Sequence, residues 1–245
     1  MDNNKIELLI SPKNLEEAKV VIMAGGIKYI DCKNPVEGSL GANFPWMIKA
    51  MKNLIPLGNS QLLSATIGDF PYLPGSASLA ALGAAVSGAD IIKVGLKGPK
   101  NQEQGIKLMK NVVRAVKEYK KNIMVVSAGY ADSSRMLSSP DFLDIPIIAA
   151  KSGSDFAMLD TYIKDEKGLF DFLNISQLNE FKEKAKEFDL KVALAGKIKE
   201  KDIVKIKQIS PDLIGVRSIV CEGYDRNNGM IKIELIEDLK TELYG

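Results

Sequence analysis

Short apolar runs alternate with longer amphipathic segments along the whole chain. The runs predict strands over 6–11, 29–33, 62–67, 91–95, 123–128, 156–160, 192–195 and 213–217. Between them, apolar residues recurring at three- and four-residue spacing predict helices over 15–24, 45–54, 76–87, 102–120, 176–188, 200–209 and 231–243. The segment 142–151 also has helical spacing, but Pro146 inside it weakens the expectation. Most of the strands are apolar on both faces, as in a parallel sheet covered by helices, and eight strand–helix repeats suffice to close a barrel. The predicted fold is therefore α/β, a single-domain (β/α)8 TIM barrel spanning residues 1–245. A weak internal repeat agrees: Gly25-Gly26, Gly88 and Gly153 each stand where a helix ends and a strand follows. No Gly-x-Gly-x-x-Gly follows the first strand, which disfavours a doubly wound dinucleotide fold.

Side chains alternate along a strand, so Asp31 and Lys33 share one face while Ile30 and Cys32 take the other. A lysine in semi-apolar surroundings loses basicity, and its free amine attacks carbonyls. The competing reading is a strand-end ion pair. The loop that follows favours chemistry, because Gly38 and Gly41 permit close backbone approach and Pro45 fixes the start of the next helix. Lys93 interrupts the apolar run Ile91-Ile92-Lys93-Val94-Gly95-Leu96, and a buried lysine must be paired or functional. Asp31 and Asp160 are its candidate partners. In a barrel the C-terminal strand ends converge on one mouth, which would gather Asp31, Lys33, Lys93, Asp160 and Lys164, with Asp69, Asp132 and Lys197 nearby. Two lysines and two aspartates there supply a nucleophilic amine and proton carriers.

Gly196 after the seventh strand and Arg217-Ser218 after the eighth occupy the place where many barrels hold a phosphate. A tight turn with a surface arginine is the alternative. The polar run 223–229 reads equally as a lid or as the cap of the last helix.

Composition narrows the class. The 245 residues are 46% hydrophobic and 26% charged with a net charge of +2, which argues against nucleic acid as a partner. No apolar run approaches the roughly 20 residues of a membrane span. The start, Met1-Asp2-Asn3-Asn4-Lys5, does not resemble a secretory signal, so a cytoplasmic protein is expected. Two cysteines and no histidine leave no evident metal site, and acid–base work falls to lysine, aspartate, glutamate or tyrosine.

Residues 31–46, Asp-Cys-Lys-Asn-Pro-Val-Glu-Gly-Ser-Leu-Gly-Ala-Asn-Phe-Pro-Trp, form a long and specific string. With 64–72, 87–96, Ala-Gly-Tyr-Ala-Asp at 128–132, Ala-Met-Leu-Asp-Thr at 157–161, Ala-Leu-Ala-Gly-Lys at 193–197 and Gly-Val-Arg at 215–217, it resembles the (5-formylfuran-3-yl)methyl phosphate synthases of methanofuran biosynthesis. The resemblance covers nearly the whole chain. It implies a cofactor-free and metal-free lyase that condenses two molecules of glyceraldehyde 3-phosphate, releasing phosphate and water. By matching motif, Lys33 would form the Schiff base and Lys93 accept a proton, with Asp31, Asp160 and Lys164 assisting. Expected partners are the small-molecule substrate and further copies of the chain in a homo-oligomer of unspecified size, with no nucleic acid and no membrane. Another Schiff-base aldolase on a sugar phosphate, or a non-catalytic barrel binding a phosphate ligand, remain as alternatives. A metal-dependent aldolase is disfavoured by the missing histidines.

Overall fold

The computed structural model of the protein describes residues 5–245; residues 1–4, which were read for a secretory signal, lie outside it. The strands are β1 (Glu7–Ile10), β2 (Tyr29–Cys32), β3 (Leu62–Asp69), β4 (Ile91–Gly95), β5 (Met124–Tyr130), β6 (Phe156–Asp160), β7 (Lys191–Leu194) and β8 (Leu213–Val216). The helices that follow them are α1 (Leu15–Met23), α2 (Pro45–Leu54), α3 (Pro74–Val86), α4 (Gln102–Tyr119), α5 (Asp144–Ser152), α6 (Ile175–Lys186), α7 (Ile203–Ile209) and α8 (Ile233–Tyr244). All strand pairs are parallel and the sheet closes, β1 pairing with β8 from Glu7↔Leu213 to Ile10↔Val216. This is the predicted (β/α)8 barrel, a single closed sheet ringed by helices.

The period of two explains the layers. Ile30, Cys32, Ile92, Val94, Ala157, Leu159 and Ile214 face outward into the main core, packed against the helices. Tyr29, Ile91, Phe156 and Leu213 point inward and fill the lower barrel. Each fully buried leucine or isoleucine in these layers contributes roughly 1.5–3 kcal/mol. One pleat step further along the same inward faces come Asp31, Lys93 and Met158, and then Lys33 and Asp160, so the packed floor carries a charged upper storey.

Departures from the sequence reading are local. Pro146 is the third residue of α5, inside the first turn, where a missing N–H costs nothing, and the helix forms. The helix expected over 200–209 splits into a short 3-10 turn, Glu200–Asp202, followed by α7. The repeat glycines adopt positive φ as expected, Gly153 at 80° closing α5. Among the described residues, no helix is long and apolar enough to cross a membrane.

Candidate active site

Lys33 stands one residue beyond β2, only 8% exposed. Among the described residues, no carboxylate lies within 4.0 Å of its amine and no acceptor takes a hydrogen bond from it. Burial lowers its pKa to about 8; Asp31 and Asp160 pull upward, while Lys164 and Lys93 push further down. Lys93 reaches the same cavity from β4 and is ion-paired instead, its Nζ 2.6 Å from Asp31 Oδ1. The second oxygen of Asp31 accepts from Ser11 Oγ at 2.8 Å. Of the two partners expected for Lys93, Asp31 is the one it takes.

Across the cavity, Asp160 ends β6 and holds Lys164 Nζ at 2.7 Å. Burial pushes the Asp160 pKa up, but Lys164, Lys33 and the Thr161 N–H outweigh it, and the net shift is downward. Asp160 therefore stays an anion between two amines. Lys33 is thus the one lysine of the three without a carboxylate bound to it.

The loop after β2 is held in part by Asp69, one of the charges the sequence places near the mouth. Asp69 accepts from the backbone N–H of Ser39 at 2.8 Å and from the Tyr130 hydroxyl, while Thr66 Oγ1 donates to Gly41 O at 2.6 Å. A Cβ on Gly41 would collide with the Asn34 carbonyl, so the loop closes only with glycine there. Asp132 serves the β6–α6 loop in the same way, accepting from Tyr162 N at 2.6 Å and Ile163 N at 3.0 Å. Both aspartates shape the loops bearing Lys33 and Lys164 and do not line the cavity.

All eight residues expected at the site line one small, partly open cavity of about 30 Å³: Lys33, Lys93, Asp31, Asp160, Lys164, Gly196, Arg217 and Ser218. Gly196, at φ 109°, brings bare backbone to its wall. Arg217 is not the surface arginine of the alternative reading. Its guanidinium grips buried Glu17 of α1 through Nη1–Oε2 at 2.6 Å and Nη2–Oε1 at 3.2 Å, and donates to Ser11 O and Arg226 O at 2.8 Å each. Four of its five N–H groups are therefore spent inside the protein. Arg217→Ala should leave buried Glu17 with only Lys13, through its N–H at 2.7 Å and its ammonium at 3.9 Å, and cost about 3–5 kcal/mol, read by denaturant unfolding, with Glu17→Gln added to recover part of the loss. Unchanged stability would refute the structural role.

Ser11 and Arg226 were not anticipated. Ser11 follows an apolar strand and shows no sign of its partner, while Arg226 lies in the polar 223–229 run. That run is no cap for α8, which begins at Ile233 after Lys232; it is a loop closed by the Cys221–Ile231 bridge.

Comparison with known proteins shows the family of the chain. A family model described as 4-HFC-P synthase matches residues 8–240. The chain is 56% identical over 233 residues to the (5-formylfuran-3-yl)methyl phosphate synthase of Methanocaldococcus jannaschii, covering 95% of this chain and 97% of that protein. It is 50% identical over 240 residues to the enzyme of the same name from Archaeoglobus fulgidus, covering 98% and 100%. Among solved structures, a 3-hexulose-6-phosphate synthase superposes with a TM-score of 0.66 at 13% identity, covering 97% of this chain and 100% of its own. The KGPDC of Streptococcus mutans gives 0.63 at 13% identity, covering 98% and 100%. These two likenesses concern the barrel fold alone. With the family model spanning residues 8–240 and relatives matching almost end to end, the chain belongs to the 4-HFC-P synthase family.

Proposed function

We propose that the protein is a (5-formylfuran-3-yl)methyl phosphate synthase, a lyase of methanofuran biosynthesis that joins two molecules of glyceraldehyde 3-phosphate through an imine on Lys33. The observation that carries this reading is the Lys33 amine, which is buried, unpaired and lowered to about 8 beside two lysines already bound by carboxylates. A neutral amine attacks the aldehyde of the first triose phosphate, and loss of water gives the imine. The imine acidifies the adjacent C–H, and Lys93 accepts that proton once its own has passed to Asp31 Oδ1, 2.6 Å away. The enamine so formed attacks the second aldehyde. Elimination of one phosphate, ring closure, dehydration and hydrolysis from Lys33 then release the furan aldehyde phosphate. In sum, two triose phosphates yield the product, one phosphate and two waters. Asp160 and Lys164, bonded at 2.7 Å, are placed to pass protons on the opposite wall.

Borohydride added with glyceraldehyde 3-phosphate should raise the intact mass by one reduced adduct, and peptide mapping should find it on Lys33. An unchanged mass would sink the Schiff-base reading. The amine must be neutral to react, so kcat/KM should climb about tenfold per pH unit below the Lys33 pKa of about 8 and level above it. A profile flat between pH 6 and 9 would contradict the assignment.

A further inference from the structure

Arg226 is a guanidinium at the site that the protein leaves uncommitted. It sits half-buried on the loop between β8 and α8 and lines both the small cavity of Lys33 and an adjoining cleft of about 680 Å³. The cavity of about 30 Å³ is too small for a sugar phosphate, so a substrate reaching Lys33 extends through this junction. Among the described residues, no carboxylate lies within 4.0 Å of its guanidinium and no acceptor takes a hydrogen bond from it. The carboxylates of the cleft are already engaged. Asp165 binds Arg135, Glu166 binds Lys197 at 2.8 Å, and Glu200 accepts from the Tyr224 hydroxyl at 3.0 Å. Even the neighbouring Asp225 turns away, accepting from Asn227 N at 2.8 Å, Asn228 N at 3.0 Å and Asn228 Nδ2 at 2.8 Å.

The backbone of Arg226 is held as firmly as its side chain is free. Its carbonyl accepts from Arg217 Nε at 2.8 Å, and Lys13 Nζ donates to the next carbonyl, that of Asn227, at 3.0 Å. The Glu17–Arg217 ion pair thus positions the loop at the cavity mouth. Burial lowers the basicity of Arg226 and the Asp160 charge restores part of it, as expected of a partly dehydrated cation with no counter-ion in contact.

We infer that Arg226 is the phosphate-recognising cation of this site, binding the phosphate of the aldehyde held at Lys33, and that Arg217 acts on it as a positioning residue. The inference rests on the reading of the cavity as a site for phosphorylated aldehydes. A guanidinium offers a phosphate a two-pronged, charge-assisted contact, and Ser218 and the Gly196 backbone stand on the same cavity wall to take further oxygens.

The test compares glyceraldehyde 3-phosphate with glyceraldehyde in borohydride trapping. Arg226→Gln should raise the half-saturating concentration of the phosphorylated aldehyde by roughly 10- to 100-fold while shifting that of glyceraldehyde by less than about twofold, and Arg226→Lys should restore part of the loss. Calorimetric titration with inorganic phosphate should weaken over the same range. Equal losses for both aldehydes would mean that the loop only shapes the cavity, and no loss for either would place the phosphate elsewhere; both overturn the inference. If the wild-type protein is not trapped at Lys33, the Schiff-base reading falls, and the phosphate titration still decides the role of Arg226.

Discussion

Lys33→Arg is expected to lower furan formation by roughly 10⁴-fold or more while leaving a folded barrel. Arginine keeps the positive charge but cannot lose the proton or form the imine at any accessible pH. Lys33 occupies a pocket with no carboxylate in contact, so a permanent cation there is disfavoured, and Lys33→Met makes the same point with a neutral chain of similar length. Both variants should resist borohydride labelling by glyceraldehyde 3-phosphate and should melt cooperatively. Furan formation comparable to wild type in either would remove Lys33 from the nucleophile's role.

Lys93→Met should part the two halves of the reaction. The imine should still form at Lys33, because burial, the main cause of its low basicity, is unchanged, although loss of the Lys93 charge raises the pKa of that amine. Condensation should nonetheless fall by about 10²–10⁴-fold, the usual cost of losing a general base. The substitution also strands Asp31, which is 1% exposed and would be left with only Ser11, so a stability loss of about 3–5 kcal/mol is expected. The double variant Lys93→Met, Asp31→Asn removes that charge and should regain stability without regaining turnover. Recovery of both together would reduce Lys93 to a structural counter-ion. Labelling at Lys93 in a Lys33→Met protein that still makes product would exchange the two roles.

The parts of this molecule visible in the sequence are those governed by local periodicity. Alternation along β2, β4 and β6 placed Asp31, Lys33, Lys93 and Asp160 on inward faces, and the barrel then brings them into one cavity. What stayed hidden depends on contacts between distant segments. Nothing beside Arg217 announces Glu17, 200 residues earlier, as its partner. The available hint was that Glu17 lies with Ala18 and Val21 on the buried face of α1, where an unpaired acid would be untenable. The roles of Asp69 and Asp132 were illegible for a related reason: a carboxylate after a strand can hold backbone N–H groups of a neighbouring loop as readily as it can face a substrate. Arg226 was obscured by turn-forming neighbours, and its freedom shows only once the partners of every nearby acid are known.

The seam between the first and last strands has a consequence for synthesis of the protein. β1 pairs with β8, Glu17 grips Arg217, and the Tyr244 hydroxyl donates to Ile6 O at 2.9 Å, so the early segments find their partners among the last to leave the ribosome. Until then Lys33 lies in a wetted, incomplete sheet, with the basicity of an ordinary lysine and a proton on its amine. A nascent or truncated chain would therefore be nearly inert toward the aldehydes of the cell, and aldehyde reactivity would switch on only when the ring closes.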